Sequence, residues 1–275
     1  MSLAFAKPNV GAEPHALGRL GGLVARLAVD ECEVREAQRL RHAVFVEECG
    51  ADGARRYGVE SDALDAACDH LLVVDPRAGD AVVGTYRLLT EARARARGGF
   101  YSESEFEIDA LLARHPQRHF LELGRSCVQR DYRDRRTIEL LWQGVWAYAV
   151  AHGIDAMFGC VSLPGTRPEA HGAAFAYLLA HEQADAEWRV RALPERRVPM
   201  VDHAAAAPDE TLSPRAALRA LPPLLKGYLR LGGRVGPDCV IDRDFRCIDL
   251  MLTLPREAIA ARYLHHYGTE AERFR

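Results

Sequence analysis

The length, charge and cysteine content of the chain exclude several classes of protein. Its 275 residues can form one large domain or two small ones, and its net charge of −3 lacks the basic excess that nucleic-acid binding needs. Seven scattered cysteines without a CxxC pair indicate free thiols in a reducing compartment. No apolar run is long enough for a membrane span and no secretion signal is visible, so we expect a cytoplasmic protein.

Strand and helix patterns alternate along the chain. Residues 1–20 are rich in Gly, Pro and Ala and are predicted to be a loose leader, followed by a single domain over 21–275. The predicted elements are, in order, a strand over Leu23–Leu27, a helix over Asp30–Glu48, strands over His70–Asp75, Ala81–Leu89 and Phe120–Val128, a helix over Thr137–His152, a strand over Asp155–Ser162, helices over Pro168–Glu182 and Pro214–Leu231, and strands over Arg234–Ile241 and Cys247–Leu254. This order predicts an α/β fold, with a mixed sheet and helices on both of its faces.

Polar or basic segments separate some of these elements. The polar segment 49–68 is predicted to be a long loop, and long loops in compact domains are often functional. The basic segment 93–97 is predicted to be a solvated linker. Thr137 is the predicted N-cap of the helix that Gly153 terminates.

The strand Phe120–Val128, with the sequence FLELGRSCV, carries charges in its middle. An unpaired buried carboxylate or guanidinium costs several kcal/mol, so Glu122 and Arg125 need partners or a wet cavity. Side chains alternate along a straight strand, which would place these two on opposite faces. Gly124 between them is a natural place for a β-bulge, which would bring both to one face. The pair is then either a structural ion pair or part of an active site.

Seven long segments carry a resemblance to a known family. They are VGTYRLL, FYSESEFEI, ELGRSCV, TIELLWQGVWAYAV, FGCVSLPGT, LPPLLKGYLRLGGRVG and DRDFRCIDLMLTLP, which extend from about Arg41 to Pro255. The chain resembles the GNAT acyltransferases and, among these, the ornithine N-acyltransferases of bacterial ornithine-lipid synthesis. This resemblance implies a GNAT-like, mostly antiparallel sheet whose splayed central strand opens a cleft for an acyl thioester. It also implies transfer of a 3-hydroxyacyl group from acyl carrier protein to the α-amine of L-ornithine, giving lyso-ornithine lipid, without a tightly bound cofactor.

A more distant resemblance, to acyl-homoserine-lactone synthases, indicates residues for substrate binding. Their shared positions correspond here to Arg41 and Phe45 on the first helix, Glu60, Asp62 and Asp65 in the loop, Arg87 on a strand, and Glu122 with Arg125. A Trp that follows the Phe in that family is absent here, which argues against lactone synthesis. The loop acids suit a cationic amino acid. Arg41 and Arg87 either bind the substrate carboxylate or donor phosphate, or pair with the acidic loop.

Acyl transfer to an amine needs a proton acceptor and hydrogen-bond donors for the carbonyl oxygen. Glu122 is the candidate base, directly or through water, or else it binds the substrate ammonium. Candidate hydrogen-bond donors are the main-chain N–H groups of Ser126, Cys127 and Val128. These residues would lie next to the bound acyl carrier. A covalent role for Cys127 is disfavoured, because no His or basic partner is identifiable beside it.

The turn 129–137 lies where GNAT enzymes hold the pyrophosphate of coenzyme A. Asp134 and Arg136 stand where that family has small residues that let main-chain N–H groups approach phosphate. The departure favours acyl carrier protein, whose acidic surface could meet the basic side chains of the turn. These are Arg130, Arg133, Arg135 and Arg136; the alternative is a solvated charged turn.

Two alternative functions and two further sites remain open at this stage. The function could be acylation of another amine, including homoserine-lactone synthesis, or non-catalytic binding of acyl carriers or membranes. The segment 222–235 either touches the inner-membrane surface transiently or is an ordinary packed helix. His70 and the pair His265–His266 lack other metal ligands nearby in the sequence, so no metal is predicted.

Overall fold

The computed structural model describes residues 15–52, 58–204 and 214–259. Residues 1–14 of the predicted leader and His265–His266 lie outside the described residues. The strands form a single sheet in the order β1-β2-β3-β4-β5-β6-β9-β8-β7. Their bounds are β1 Ala16–Leu20, β2 Leu23–Leu27, β3 Asp69–Asp75, β4 Ala81–Thr90, β5 Phe120–Val128, β6 Ala156–Pro164, β7 Val198–Pro199, β8 Arg234–Asp242 and β9 Cys247–Pro255.

Helices cover both faces of this sheet. Their bounds are α1 Glu31–Arg41, α2 Glu91–Ala96, α3 Ile108–Arg114, α4 Arg135–Ala151, α5 Gly172–His181, α6 Met200–Ala204, α7 Pro214–Ala220 and α8 Pro223–Leu231. On one face, α4 and α8 pack against strand residues such as Leu121 and Leu250. On the other, α3 packs against Phe120, Phe158 and Met251. Because side chains alternate along a strand, each central strand contributes to both cores.

The centre of the sheet separates along a parallel pair of strands. Every other neighbouring pair in the sheet is antiparallel, whereas β5 and β6 are parallel and pair only from Phe120–Ala156 to Glu122–Phe158. Beyond that point β6 pairs with β9 alone, so β5 and β6 diverge. The predicted mixed, mostly antiparallel sheet with a splayed central strand is therefore confirmed.

Two boundary predictions are wrong for identifiable reasons. Residues Ala16–Leu20, assigned to the leader, form β1, which pairs with β2 across a tight turn at Gly21–Gly22. Thr137 is not the N-cap of α4: the Asp134 carboxylate accepts a hydrogen bond from the Thr137 N–H at 3.0 Å, so the helix begins earlier. Asp, with its short carboxylate, is a favoured N-cap.

Other helices also differ from the sequence pattern. The helix predicted over Pro214–Leu231 is divided into α7 and α8, because Pro222 and Pro223 interrupt main-chain hydrogen bonding. The predicted basic linker is mostly the short helix α2, from which Arg93 pairs with Asp69 at 2.6 Å. The helix predicted to run to Glu48 leaves α-helical geometry after Arg41 and continues as a π-helical segment, His42–Glu48.

Gly159, at the point where β5 and β6 separate, should tolerate no side chain. A Cβ added there would lie 2.2 Å from the main-chain oxygen of Leu123. Gly159→Ala is therefore expected to lower the free energy of unfolding by roughly 1–3 kcal/mol, measured by urea denaturation. The control is Gly227→Ala in α8, where a Cβ would meet Trp142 Nε1 at 3.6 Å and alanine favours the helix. An equal effect of the two substitutions would contradict the close approach of the strands.

Candidate active site

A cavity of about 940 Å³ opens where β5 and β6 separate. Its wall includes Glu122, Arg125 and Ser126 from β5, and Cys160 and Ser162 from β6. The split in the sheet creates this space because neither strand edge is covered by the other. A cavity of this size can hold two reacting groups that enter from different faces of the sheet.

The two sides of the cavity differ in polarity. Glu122, Cys160, Ser162 and Asp249 share one face of the sheet, as the pairings Glu122–Phe158 and Ser162–Asp249 and the strand period of two require. Apolar and aromatic residues from the core around α4 and α8 line the other side: Tyr86, Leu123, Leu163, Leu221 and Tyr228. A polar acceptor and an acyl chain can therefore occupy opposite sides of one space.

The charged residues expected to bind substrate form a buried network behind the cavity. Arg41, the last residue of α1, binds Asp65 through two hydrogen bonds of 2.8 and 3.1 Å and also binds Glu60. Arg87 binds Asp62 at 2.7 Å and Asp65 at 3.1 Å. Burial opposes ionisation, but the bonds and charges of Arg41 and Arg87 hold the pKa of Asp65 at about 2, below its usual range.

This network supports one of the alternatives left open for these residues. Three arginines face three carboxylates, so their charges are satisfied by one another. Arg41, Arg87, Glu60 and Asp65 do not reach the cavity wall, whereas Arg125 does. Phe45 lines the cavity mouth and packs edge-to-face on Phe245.

Arg125 is held in the wall by contacts on several sides. Its guanidinium pairs with Glu60 at 3.1 Å and Asp62 at 3.3 Å, and it lies 4.4 Å from the ring centres of both Tyr101 and Phe245. The main chain at Arg125 has a φ of 49°, which is strained for a residue with a side chain. Such strain persists only where the surrounding contacts hold it.

The expected β-bulge is present one residue later than predicted. Gly124 pairs with Arg87 and Cys127 with Thr85, so Arg125 and Ser126 together face one residue of β4, Tyr86. Glu122 and Arg125 consequently both line the cavity, as predicted. The left-handed conformation falls on Arg125 rather than on the glycine.

Glu122 is the buried carboxylate at the vertex of the split. It accepts hydrogen bonds from the N–H groups of Tyr101 and Ser102, at 2.9 and 2.8 Å, and from Ser102 Oγ at 2.5 Å. Burial raises its pKa, although these three donors oppose the shift. Arg125 pairs with Glu60 and Asp62, and within the described residues the structural ion pair between Glu122 and Arg125 is not formed. The arrangement provides a fixed carboxylate that can accept a proton.

A second group of buried acids, which the sequence reasoning missed, lies farther along the polar side. Ser162 Oγ donates to Asp249 Oδ1 at 2.6 Å, and Asp242 lies beside it on the wall. Burial, and to a smaller extent the negative charge of Asp249, raises the pKa of Glu105 to about 7. Burial also raises the pKa of Asp249. The segment DRDFRCIDL carries two of these acids, Asp242 and Asp249. The alternating pattern of this strand segment was the signal in the sequence that could have placed them on one face.

Some of these side chains could also ligate a metal ion. Glu105, Cys160 and Asp249 bring one ligand atom each within 4.8 Å of one another, and so do Asp242, Cys247 and Asp249. Burial raises the pKa of both thiols well above their usual range, which keeps them protonated. Thiolate ligation would therefore carry a deprotonation cost.

The main chain of β5 offers donors at the split. Beyond Glu122, β5 does not pair with β6 in the described sheet, so any N–H groups of β5 that point towards β6 lack a strand partner there. Ser126 lines the cavity, whereas the Cys127 side chain packs against Leu40 and Val44. Burial raises the pKa of Cys127, which makes its thiol a poor nucleophile.

The basic turn before α4 is exposed. Arg130, Arg133, Arg135 and Arg136 all face solvent, and Arg133 binds Glu48 at 2.9 Å and the Val128 carbonyl at 3.0 Å. The Asp134 carboxylate occupies the N-terminus of the helix. A negative charge therefore lies where GNAT enzymes would bring a pyrophosphate.

The segment 222–235 is chiefly a packed helix. Leu225, Tyr228, Leu229 and Leu231 of α8 are buried in the core, while Arg230 is exposed. In the described ranges, none of the helices is long and apolar enough to cross a membrane.

Comparison with known proteins identifies relatives along nearly the whole chain. The GNAT acetyltransferase domain matches residues 40–143. The chain is 51% identical over 267 residues to the L-ornithine N(alpha)-acyltransferase of Rhizobium meliloti (strain 1021), covering 94% of this chain and 88% of that protein. It is 50% identical to the same enzyme of Agrobacterium fabrum, covering 93% and 88%, and 39% identical to that of Rhodobacter capsulatus, covering 90% and 95%.

A solved structure shares the fold at low sequence identity. FeeM, an N-acyl amino acid synthase from uncultured soil microbes, matches with a TM-score of 0.50 and 13% identity over 88% of this chain and 97% of that one. This similarity concerns the arrangement of strands and helices.

Asp65 is expected to act as a structural ion of the network. Asp65→Asn leaves Arg41 and Arg87 without this carboxylate and should lower the free energy of unfolding by about 3–5 kcal/mol. Because the pKa of Asp65 is lowered on folding, its stabilisation is full above its unfolded pKa of about 4 and is lost as the pH falls toward about 2. Thermal unfolding from pH 7 to pH 2 should show a smaller loss of stability for the variant than for the parent.

Asp109→Asn, at an exposed position of α3, is the matched control. It should change stability by about 0.5 kcal/mol or less. Similar losses for the two variants would contradict the structural role of Asp65.

Proposed function

The chain belongs to the family of L-ornithine N(alpha)-acyltransferases, and we propose that it transfers a 3-hydroxyacyl group to the α-amine of L-ornithine. The identity of about half of all positions with two such enzymes is the observation that carries the proposal. The cavity supports it, because one side is apolar enough for an acyl chain and the other carries carboxylates suited to a cationic amino acid. The product would be lyso-ornithine lipid.

Glu122 is the residue we propose as the base. It lies at the vertex of the split and its raised pKa suits removal of a proton from the substrate ammonium, directly or through a water. The free amine then attacks the thioester carbonyl, so that an N–C bond forms and the C–S bond breaks. The leaving thiolate takes up the proton held by Glu122, and the nitrogen releases a second proton to solvent as the neutral amide forms.

Main-chain donors and Arg125 complete the proposed mechanism. The unpaired N–H edge of β5 around Ser126 would stabilise the oxyanion of the tetrahedral intermediate. Arg125 is the arginine of the buried network that reaches the cavity, and we assign to it the carboxylate of the amino acid, as a further acceptor beside Glu60 and Asp62. Its contacts with Tyr101 and Phe245 fix its direction, which favours a single orientation of the acceptor.

The proposed donor is acyl carrier protein. Asp134 caps α4 with a negative charge, which disfavours the pyrophosphate of coenzyme A at that helix end. The exposed Arg130, Arg133, Arg135 and Arg136 present positive charge to an acidic carrier. Such a donor would place the reaction in the cytoplasm. Contact with the inner membrane stays a prediction, because α8 uses its apolar face in the core.

A donor-by-acceptor assay tests both parts of this proposal. Purified protein is given a 3-hydroxyacyl group on acyl carrier protein or on coenzyme A, with ornithine, lysine, glutamine, glycine or S-adenosylmethionine, and products are identified by mass spectrometry. We expect N-acyl-ornithine as the main product and a clear preference for the carrier. Absence of N-acyl-ornithine, or a homoserine lactone as main product, would refute the proposed acceptor.

The basic turn provides a separate control on the donor. The double variant Arg133→Glu, Arg135→Glu should raise KM for acyl carrier protein and weaken its salt dependence. Arg97→Glu, an exposed charge reversal beyond the opposite end of β4, should leave KM for the carrier unaltered. Equal kcat/KM for the two donors in the parent enzyme would argue against the carrier.

Glu122→Gln should lower kcat by roughly 10²–10⁴-fold if Glu122 is the base. Ser102→Ala is the comparison, because it removes one hydrogen bond from Glu122 but keeps the carboxylate. The serine variant should retain most of the activity, and the acidic limb of its pH–rate profile should move upward, since the charged carboxylate has lost a donor. If Glu122→Gln keeps near-normal turnover at an unchanged Tm, Glu122 is not the base. Its role is then only to hold residues 101–102 through hydrogen bonds.

A further inference from the structure

Asp249 is a buried acid of the cavity wall that, unlike the acids of the buried network, forms no ion pair with a described residue. Its side chain is only 4% exposed, yet it lines the cavity wall. Oδ1 accepts hydrogen bonds from Ser162 Oγ at 2.6 Å and from Cys247 Sγ at 3.3 Å. Among the residues that the structure describes, none places a cation within ion-pair distance of Asp249, and none donates to Oδ2. The carboxylates of Glu60, Asp62 and Asp65, by contrast, are each matched by an arginine.

The surroundings of Asp249 add negative charge rather than cancelling it. Asp242 lies on the same wall, and its Oδ1 accepts the Phe245 N–H at 2.9 Å. Glu105 lies within 4.8 Å of both Cys160 and Asp249, measured between their ligand atoms, and is paired on its other side with Arg196. The charge of Arg125 acts on Asp249 through space, but the Arg125 guanidinium is bound by Glu60 and Asp62. A buried carboxylate in this state is either protonated or stabilised by a positive partner, and the cavity is the side from which a partner can come.

The distance from Glu122 suits a molecule with two amino groups. Contacts lead from Glu122 Oε1 to Ser102 Oγ at 2.5 Å, from there to Cys160 Sγ at 3.5 Å, and from Cys160 to Asp249 within 4.8 Å. These contacts limit the separation of the two carboxylates to a length that an extended ornithine, with one hydrogen bond of about 2.8 Å at each end, can span. An α-amine at Glu122 would then place the side-chain ammonium at Asp249.

We infer that Asp249, supported by Ser162 and Asp242, is the subsite for the side-chain ammonium of the acceptor and determines its preference for a diamino acid. The inference rests on the proposed function, whose chemistry at Glu122 it leaves unchanged. An ammonium group has three N–H donors. The acceptors available to them are Asp249 Oδ2, the Asp242 carboxylate and the part of the wall near Cys160. A neutral side chain of the same length would leave the buried carboxylate unpaired, and buried groups left unpaired are what give a polar site its selectivity.

The test compares ornithine with norvaline, which has the same carbon skeleton but lacks the side-chain amine. The measured quantity is the ratio of kcat/KM for ornithine to kcat/KM for norvaline, with one acyl donor throughout. We expect the parent enzyme to favour ornithine by roughly 10²-fold or more, and Asp249→Asn to bring this ratio close to one. The pH and salt concentration are kept constant.

Asp238→Asn is the matched control. Asp238 is equally buried on β8 but faces Arg197 and the Ala192 N–H instead of the cavity. Its replacement should lower stability while preserving the ornithine-to-norvaline ratio. A loss of the ratio in both variants would overturn the assignment of selectivity to Asp249.

A binding measurement on the parent enzyme keeps the inference testable if Asp249→Asn does not fold. Ornithine should raise Tm more than norvaline at equal concentration, and prior treatment with a chelator should not alter that difference. Equal shifts, or a difference that a chelator abolishes, would overturn the inference, the latter in favour of a metal. If the parent acylates ornithine while Asp249→Asn keeps the parental ratio, the inference fails and the proposed function stands. If the parent does not acylate ornithine at all, the proposed function fails first.

Discussion

The separation of β5 from β6 is the constraint on which the rest of the molecule depends. Main-chain hydrogen bonds join the two strands only as far as Glu122 and Phe158. The bulge at Arg125 and Ser126 turns β5 away, while Gly159 allows Leu123 O to approach closely at the vertex. An interrupted sheet would ordinarily lose hydrogen bonds without compensation. Here the unpaired edge faces a cavity and can serve a reacting carbonyl.

Charge is distributed around this cavity in two distinct ways. Behind Arg125, arginines and carboxylates neutralise one another in a buried network, which holds the strained main chain of Arg125 in place. Elsewhere on the cavity wall, Asp249 forms no ion pair with any residue in the described part of the chain. The first arrangement is typical of a scaffold, because every ion is paired. The second is typical of a binding site, where the missing partner is supplied by the substrate.

The N-terminus of helix α4 is the feature that bears on the proposed acyl donor. Its N-terminus is the natural anion site of a GNAT enzyme, since unpaired N–H groups and the helix dipole converge there. Asp134 fills this position from within the chain, and arginines surround it on the surface. The helix end is thereby stabilised without a bound phosphate. Recognition of the donor would then shift from a buried pyrophosphate to the protein surface that carries the acyl group.

Local sequence patterns were sufficient for the order of the elements and for the unusual strand. Alternation and helical spacing located most strands and helices, because burial of one face imposes those periods. The charges and glycine of FLELGRSCV predicted a bulge and a cavity lining. What local patterns missed was set by distant contacts: β1 needs β2 as its partner, and α4 begins at Asp134 because its carboxylate caps the helix.

The candidate site also has a part that the sequence predicted and a part that only the tertiary structure decided. The reason for this division is electrostatic. The resemblance to acyl-homoserine-lactone synthases placed Glu60, Asp62, Asp65, Arg41 and Arg87 near a substrate. Whether a charge is free or neutralised, however, depends on which side chains lie within a few ångströms of it. Those distances join residues far apart in the chain, such as Arg41 with Asp65 and Ser162 with Asp249. The ion pairs of the loop acids, and the lack of one at Asp249 among the described residues, therefore became visible only once the strands and the loop had been brought together.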